Sequence, residues 1–331
     1  MAYQNVGTPR FYIDIFSWLK SLGLAEEGSY TNFGLNTSEQ SSFQSANIYI
    51  TITGGIRFRF DYFAVLGHEL SDIYFNGKFG DDPWTNSNYL TNWPAIESIN
   101  CDKSTYYIPT HNGFSLVRFY PFDIIDDRIV NFHYFSTGDT MVAFKSCAFS
   151  LGKTYTMPHS PDLKLTMTRE MDGIKSIRTK GGNDLIDKKY TKPPLWGSLA
   201  PWELGGTKNQ GLSRVGRRAW DLSFSYLDDG DMFGPNQMTH KSFYMPGSTG
   251  YDTGDFDSYP DFLYNILDDD NFYSQVIHKT NGGQLPFIFQ PDSSNSNSDG
   301  FAIAKFDMNT FEFNQVANGV YNAKMKIREI W

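Results

Sequence analysis

GRRAWDLSFSYLDDGDMFG, residues 216–234, decides the fold class. Trp220, Leu222, Phe224 and Tyr226 alternate with Asp221, Ser223 and Ser225, the period-2 pattern of a strand buried on one side. The stretch ends in Asp228, Asp229 and Asp231 around Gly230. A calcium loop of the EF-hand type needs oxygens at alternating positions, glycine at the sixth and a closing glutamate, and these acids have neither that spacing nor that glutamate. They read as the polar end of a structural element. No ion is assigned to them.

The same alternation recurs outward from this strand. Asn47–Thr53, Ile56–Leu66, Leu116–Tyr120, Val130–Phe135 and Thr140–Phe149 are short apolar and aromatic runs divided by turn residues; in the second, Phe58, Phe60 and Tyr62 oppose Arg57, Arg59 and Asp61. Strands of this length and spacing predict a β-sandwich over 35–150. Residues 1–34 form a strand and helix arm: Phe11–Ile15 alternates weakly, and Ile15, Trp18, Leu19 and Leu22 then fall at helical spacing before Gly23. Ser29–Gln44 is polar and reads as a loop. Residues 151–331 form a second β-rich domain with few short helices and long loops. In it TMTREMDGIKSIRT (166–179) predicts a hairpin turning at Glu170–Gly173, and Asp261–Gly282 predicts a helix carrying Phe262, Ile266, Phe272 and Val276. Phe301–Asp307, Thr310–Val316 and Val320–Trp331 are the last strands, with Tyr321, Ala323, Met325 and Ile327 opposing Asn322, Lys324, Lys326 and Arg328 in the final one, and QPDSSNSNSDG (290–300) is an exposed loop tip. KYTKPPLWGSLAPW (189–202) is too rich in proline for a central strand.

Composition sets the function classes. Phe, Tyr and Trp make up 17% of the 331 residues, and 29 Gly and 15 Pro supply turns, which together favour a mainly β protein. A net charge of −9 argues against general binding to a phosphate backbone. Between Lys241 and Lys279 there are seven aspartates and no Lys or Arg, a solvated and repelling stretch. Cys101 and Cys147 have no CxxC spacing, and whether they pair is left open. The start has no basic region followed by a long apolar run, and no stretch of about 18 apolar residues occurs, so neither a signal segment nor a membrane span is expected.

Sites are scarce. His68, His111, His133, His159, His240 and His278 show neither HxH nor HxxxH spacing and read as structural. GLSRVG (211–216) misses the GxSxG nucleophile elbow by one residue. There is no GxGxxG or GxxxxGK[ST] run, so no nucleotide cofactor is expected, and Gly54–Gly55, Gly181–Gly182, Gly205–Gly206 and Gly282–Gly283 read as turns or bulges. With 37 acids, some carboxylate pair fits any glycosidase spacing, so abundance assigns no catalytic residue. No catalytic, cofactor or metal residue is assigned.

Several segments carry a family resemblance. FDYFAVLGHELSDI (60–73) resembles the strand and turn of discoidin-like, galactose-binding-type sandwiches in tail proteins of tailed bacteriophages, with Glu69 at the usual asparagine. GFSLVRFYPF (113–122), the exit KSCAFSLGKTYTMPHSPD (145–162) and GRRAWDLSFSYLDD (216–229) are similar to the same module and the strand after it. GGQLPFIFQPD (282–292), followed by VANGVYNAKMKIREIW (316–331), resembles its last hairpin. The resemblance implies a galactose-binding-like jelly roll and a virion structural protein, not an enzyme, at the tail tip or baseplate. It would assemble in the host cytoplasm as a ring with copies of itself and other tail proteins. A carbohydrate-binding host-recognition module is the alternative, and a glycan-active enzyme is the third reading.

Overall fold

The computed structural model describes residues 6–27, 35, 41–43, 47–52, 58–67, 72–80, 107–109, 114–124, 129–135, 144–146, 148–171, 175–187, 216–233, 270–295 and 300–330. Its strands are β1 (Arg10–Asp14), β2 (Ala25–Glu27), β3 (Ser41–Phe43), β4 (Asn47–Ile52), β5 (Phe58–Leu66), β6 (Asp72–Gly80), β7 (Tyr107–Pro109), β8 (Phe114–Ile124), β9 (Ile129–Phe135) and β10 (Phe144–Ser146). Then follow β11 (Ala148–Thr156), β12 (Thr166–Glu170), β13 (Lys175–Arg178), β14 (Asp184–Asp187), β15 (Arg217–Asp228), β16 (Phe287–Gln290), β17 (Ala302–Phe306), β18 (Glu312–Ala317) and β19 (Val320–Glu329). The helical elements described are α1 (Ile15–Ser21), the single turn α2 (Asp229–Met232) and a π-helical segment, Tyr273–His278. The protein is mainly β, and its sheets are antiparallel.

A ten-stranded sheet runs β12-β15-β19-β17-β16-β1-β11-β5-β8, with β18 also paired to β19. Its strands come from both sides of residue 150, and β11 crosses that position while bonding β1 on one edge and β5 on the other. A five-stranded sheet runs β2-β4-β9-β6-β7, and β3–β10 and β13–β14 are separate pairs.

The middle of the large sheet, β16, β1 and β11, is buried on both faces. On one, Phe11 of β1 meets Phe272, Phe287, Phe289 and Phe306 at ring separations of 5.9, 5.5, 5.3 and 6.0 Å. Trp220, Leu222 and Phe224 extend that layer along β15. On the other, Tyr12 sits edge-on to Tyr62 at 5.2 Å, beside Ile288, Ala64 and Leu66. Alternate residues of β1 and β16 therefore enter two different cores, and both strands read as unbroken apolar runs. The Tyr12 hydroxyl, pushed up to about 12 by burial, donates to Gln290 Oε1 at 2.8 Å and satisfies the polar end of β16.

Gly152 is required by backbone proximity. It lies opposite Asp14, and a Cβ there would stand 1.8 Å from the Ile13 carbonyl oxygen. Gly23, at φ +72°, ends α1 in the left-handed conformation, as its place in the sequence predicts. Leu22, counted with the apolar stripe of that helix, is exposed.

Several expectations are corrected. The segment 166–179 is not a hairpin: β12 pairs with β15, and β13 pairs with β14 in the register Lys175↔Asp187 to Arg178↔Asp184. The turn joining the latter pair holds Gly182 at φ +85°, at the glycine pair that reads as a turn in the sequence. Tyr226 does not face the core with Trp220. The register shifts between Phe224 and Leu227, Tyr226 takes φ +62° and is 77% exposed, and Leu227 replaces it inside. The loop at 29–44 contains β3, and the strand expected over Thr140–Phe149 is two, β10 and β11, the second continuing to Thr156.

The tip at 290–300 begins as a tied segment, since Ser293 N donates to Thr8 O and Gly7 N to Pro291 O. The last strands fall close to their expected positions, and Ala323, Met325 and Ile327 point inward as predicted. The expected helix over 261–282 is π-helical at Tyr273–His278, with Phe272 and Val276 buried; its first nine residues lie outside the described residues. Residues 189–202, Cys101 and Cys147 lie outside them as well.

Candidate functional site

A pocket of about 430 Å³ opens where the end of β11 meets β5, β8 and the acidic turn α2. Asp61 and Lys153 are its buried charged groups. The β5–β8 register shifts between Phe60 and Tyr62, so Asp61 sits at a bulge, out of the regular ladder. Its carboxylate accepts from Thr154 N at 2.6 Å and from Thr154 Oγ1 at 2.7 Å, standing in for ladder bonds along the β11 edge. Burial pushes this carboxyl up to about 6, opposed by the Thr154 hydrogen bonds and by the charges of Arg118 and Lys153.

Arg118 comes from β8 and Lys153 from β11, both lining the same pocket. The Lys153 ammonium is nearly buried and lies 3.3 Å from Asp270 Oδ1, whose own side chain is 73% exposed. The pair therefore runs from the interior to the rim. Thr156 adds a hydroxyl that accepts from Arg10 Nε at 2.8 Å, while Pro158 and Tyr155 supply carbon surface.

The acidic tip divides here. Asp228 and Asp229 are exposed, whereas Asp231 is half-buried and lines the pocket. Met232, buried in the aromatic core, anchors the turn, and the Tyr155 hydroxyl donates to Asp231 O at 3.0 Å. Burial, then the charges of Asp231 and Asp270, push the Tyr155 phenol up. The pocket is thus polarised, with cations beside Asp61 and carboxylates near its rim.

Elsewhere, Asp14 is buried, accepts from Ser17 Oγ and from Leu35 N and Leu151 N at 3.3 and 3.4 Å, and is pushed up to about 6 by burial. It fastens α1 to β11. His278 stacks edge-on against Trp18 at 5.3 Å, and burial, aided by the Lys279 charge, lowers its pKa. His159 Nδ1 meets Ser160 O at 2.8 Å. His133 lies in β9, while His68, His111, His240, GLSRVG up to Val215 and the glycine pairs at 54–55 and 205–206 lie outside the described residues. Among the described residues no three His, Cys, Asp or Glu side chains are grouped to hold a metal ion, and no helix is long and apolar enough to cross a membrane.

Sequence reasoning missed Asp61, Arg118 and Lys153 as a group. Asp61 was placed on a polar strand face with Arg57 and Arg59. The available signal was a lone carboxylate followed directly by the wholly apolar run YFAVL, which leaves that face dry. Comparison with known proteins finds no matching family model, no matching curated protein and no matching solved structure.

Proposed function

We propose that this chain is a structural protein of a tailed-bacteriophage virion, a tail-tip or baseplate component that joins copies of itself into a ring and contacts other tail proteins. In this reading 35–150 is a galactose-binding-like jelly roll, 151–331 is an assembly domain with extended arms, and the particle is built in the host cytoplasm. The sequence resemblance motivates it, and one observation carries it. Every residue of β13 and β14 is exposed, including Ile177 at 65%, Leu185 at 61% and Ile186 at 52%. A two-stranded hairpin is marginal alone in water, so one that leaves three large apolar side chains exposed gains stability from a partner.

Electron microscopy and sedimentation of the purified full chain test this. Closed rings are expected; a monomer at all accessible concentrations, with no affinity for tail proteins, overturns it.

A second reading, recognition of a host-surface glycan, is favoured by the polar pocket at Asp61. Its test is a glycan array probed with the full chain.

A further inference from the structure

Resting on the glycan reading above, we infer that the pocket between β5, β8, β11 and α2 takes a neutral, hydroxyl-rich ligand, a hexose unit of a glycan, held by hydrogen bonds to the charged groups that line it, Lys153, Arg118, Asp231 and Asp270.

The charge layout selects the ligand class. A small anion drawn to Lys153 and Arg118 also meets the carboxylates of Asp61, Asp231 and Asp270. A cation drawn to those carboxylates meets the ammonium and guanidinium instead, and the described carboxylates form no metal-binding group. A polyol suits both sets, because each hydroxyl both donates and accepts. Its oxygens accept from the cations and its hydrogens go to the carboxylates, as charge-assisted hydrogen bonds. The Thr156 hydroxyl, accepting from Arg10, keeps its proton to donate.

Size and rigidity agree with this. About 430 Å³ lies within the range of small-molecule sites and exceeds a single hexose. Lys153 and Asp61 are only 5% and 6% exposed, so both are held before a ligand arrives. The site also joins distant parts of the chain. Asp61 and Arg118 come from the 35–150 segment, and the other lining groups from beyond it. A fragment ending at residue 150 therefore lacks most of the site.

The test is titration of the full chain, by calorimetry and ligand-observed NMR, with the methyl glycosides of galactose, glucose and mannose and with N-acetylglucosamine. Inorganic phosphate and calcium chloride serve as charged probes. Saturable binding of at least one hexose is expected, weakened ~10- to 100-fold by Asp231→Asn and by Lys153→Met. Asp270→Asn, at an exposed position, replaces Lys153→Met if that variant does not fold, and circular dichroism confirms the sheet in each.

Binding of phosphate or calcium in place of any hexose, lost in the same variants, overturns the inference. Hexose binding that all the variants leave unchanged removes this pocket but keeps the glycan reading. A blank hexose panel together with a blank glycan array removes both.

Discussion

Strands β1 and β16 and the hairpin β13–β14 all carry large apolar side chains, and these meet opposite fates. In β16 every side chain is buried, and Phe11 of β1 touches four aromatic rings. In β13–β14 every side chain is exposed, although Ile177, Leu185 and Ile186 are as apolar as residues of the core. What separates them is the number of neighbours on offer. A strand in the middle of the ten-stranded sheet has a core on each face, whereas the separate β13–β14 pair buries neither face without another surface.

The contrast is broken most severely at Gly152. Gly152→Ala drives a Cβ into the Ile13 carbonyl, and the β1–β11 pairing must part for it to fit. A loss of about 4 kcal/mol or more is expected, the range of core overpacking plus a broken ladder. Soluble yield and denaturant unfolding check it; a variant melting with the wild type removes the claim that β1 and β11 are in this register.

An intermediate effect comes from acid. Asp14 and Asp61 have folded-state values near 6 against 3.8 for an ordinary aspartate, so the folded protein binds their protons more tightly than the unfolded chain does. Their contribution is unpenalised below about pH 4 and becomes unfavourable as pH rises through 6. Each costs at most ~3 kcal/mol at neutral pH. Asp61→Asn isolates one of them, since the amide oxygen still accepts from Thr154 N and the NH₂ donates to Thr154 Oγ1. Relative to wild type, the variant is expected to gain stability at pH 7.5 compared with pH 4. An equal difference at both values assigns the two forms of Asp61 the same environment.

The smallest effect on stability belongs to the hairpin. Ile177→Ser with Leu185→Ser is expected to shift the stability of the isolated chain by about 0.5 kcal/mol or less, as for other surface sites. Under the assembly proposal the same pair of changes abolishes rings. A large loss of monomer stability would show that the hairpin packs within its own chain.

Legibility followed the burial pattern. β15 and β19 have one face in the core and the other toward polar surroundings, so alternation revealed them, down to Ala323, Met325 and Ile327. The weak alternation at Phe11–Ile15 marked a strand but concealed that it is central, because burial on both sides erases the period on which such a reading depends. Tyr226 broke its pattern through a bulge, which changes the side a residue faces without changing its chemistry. At 166–179 the sequence suggested that the two strands pair with each other, but β12 pairs with β15 and β13 with β14. Local sequence scores a turn, while pairing is decided by which edge lies nearby.

Of the pocket, only the acidic tip was weighed as a site from sequence, and only one of its three acids lines it. Along the chain, Asp61, Arg118, Lys153, Asp231 and Asp270 follow one another at intervals of 35 to 78 residues.

By itself, then, the sequence determined that the protein is mainly β, where most strands with one polar face run, and where α1 stops. Those features depend on period and on local backbone freedom, both written into neighbouring residues. Only the tertiary structure decided that β1 lies between β11 and β16, that Asp61 is dry and that Asp231 lines one pocket with Lys153 and Arg118. Burial and charge proximity are properties of residues distant along the chain, and no local pattern carries them.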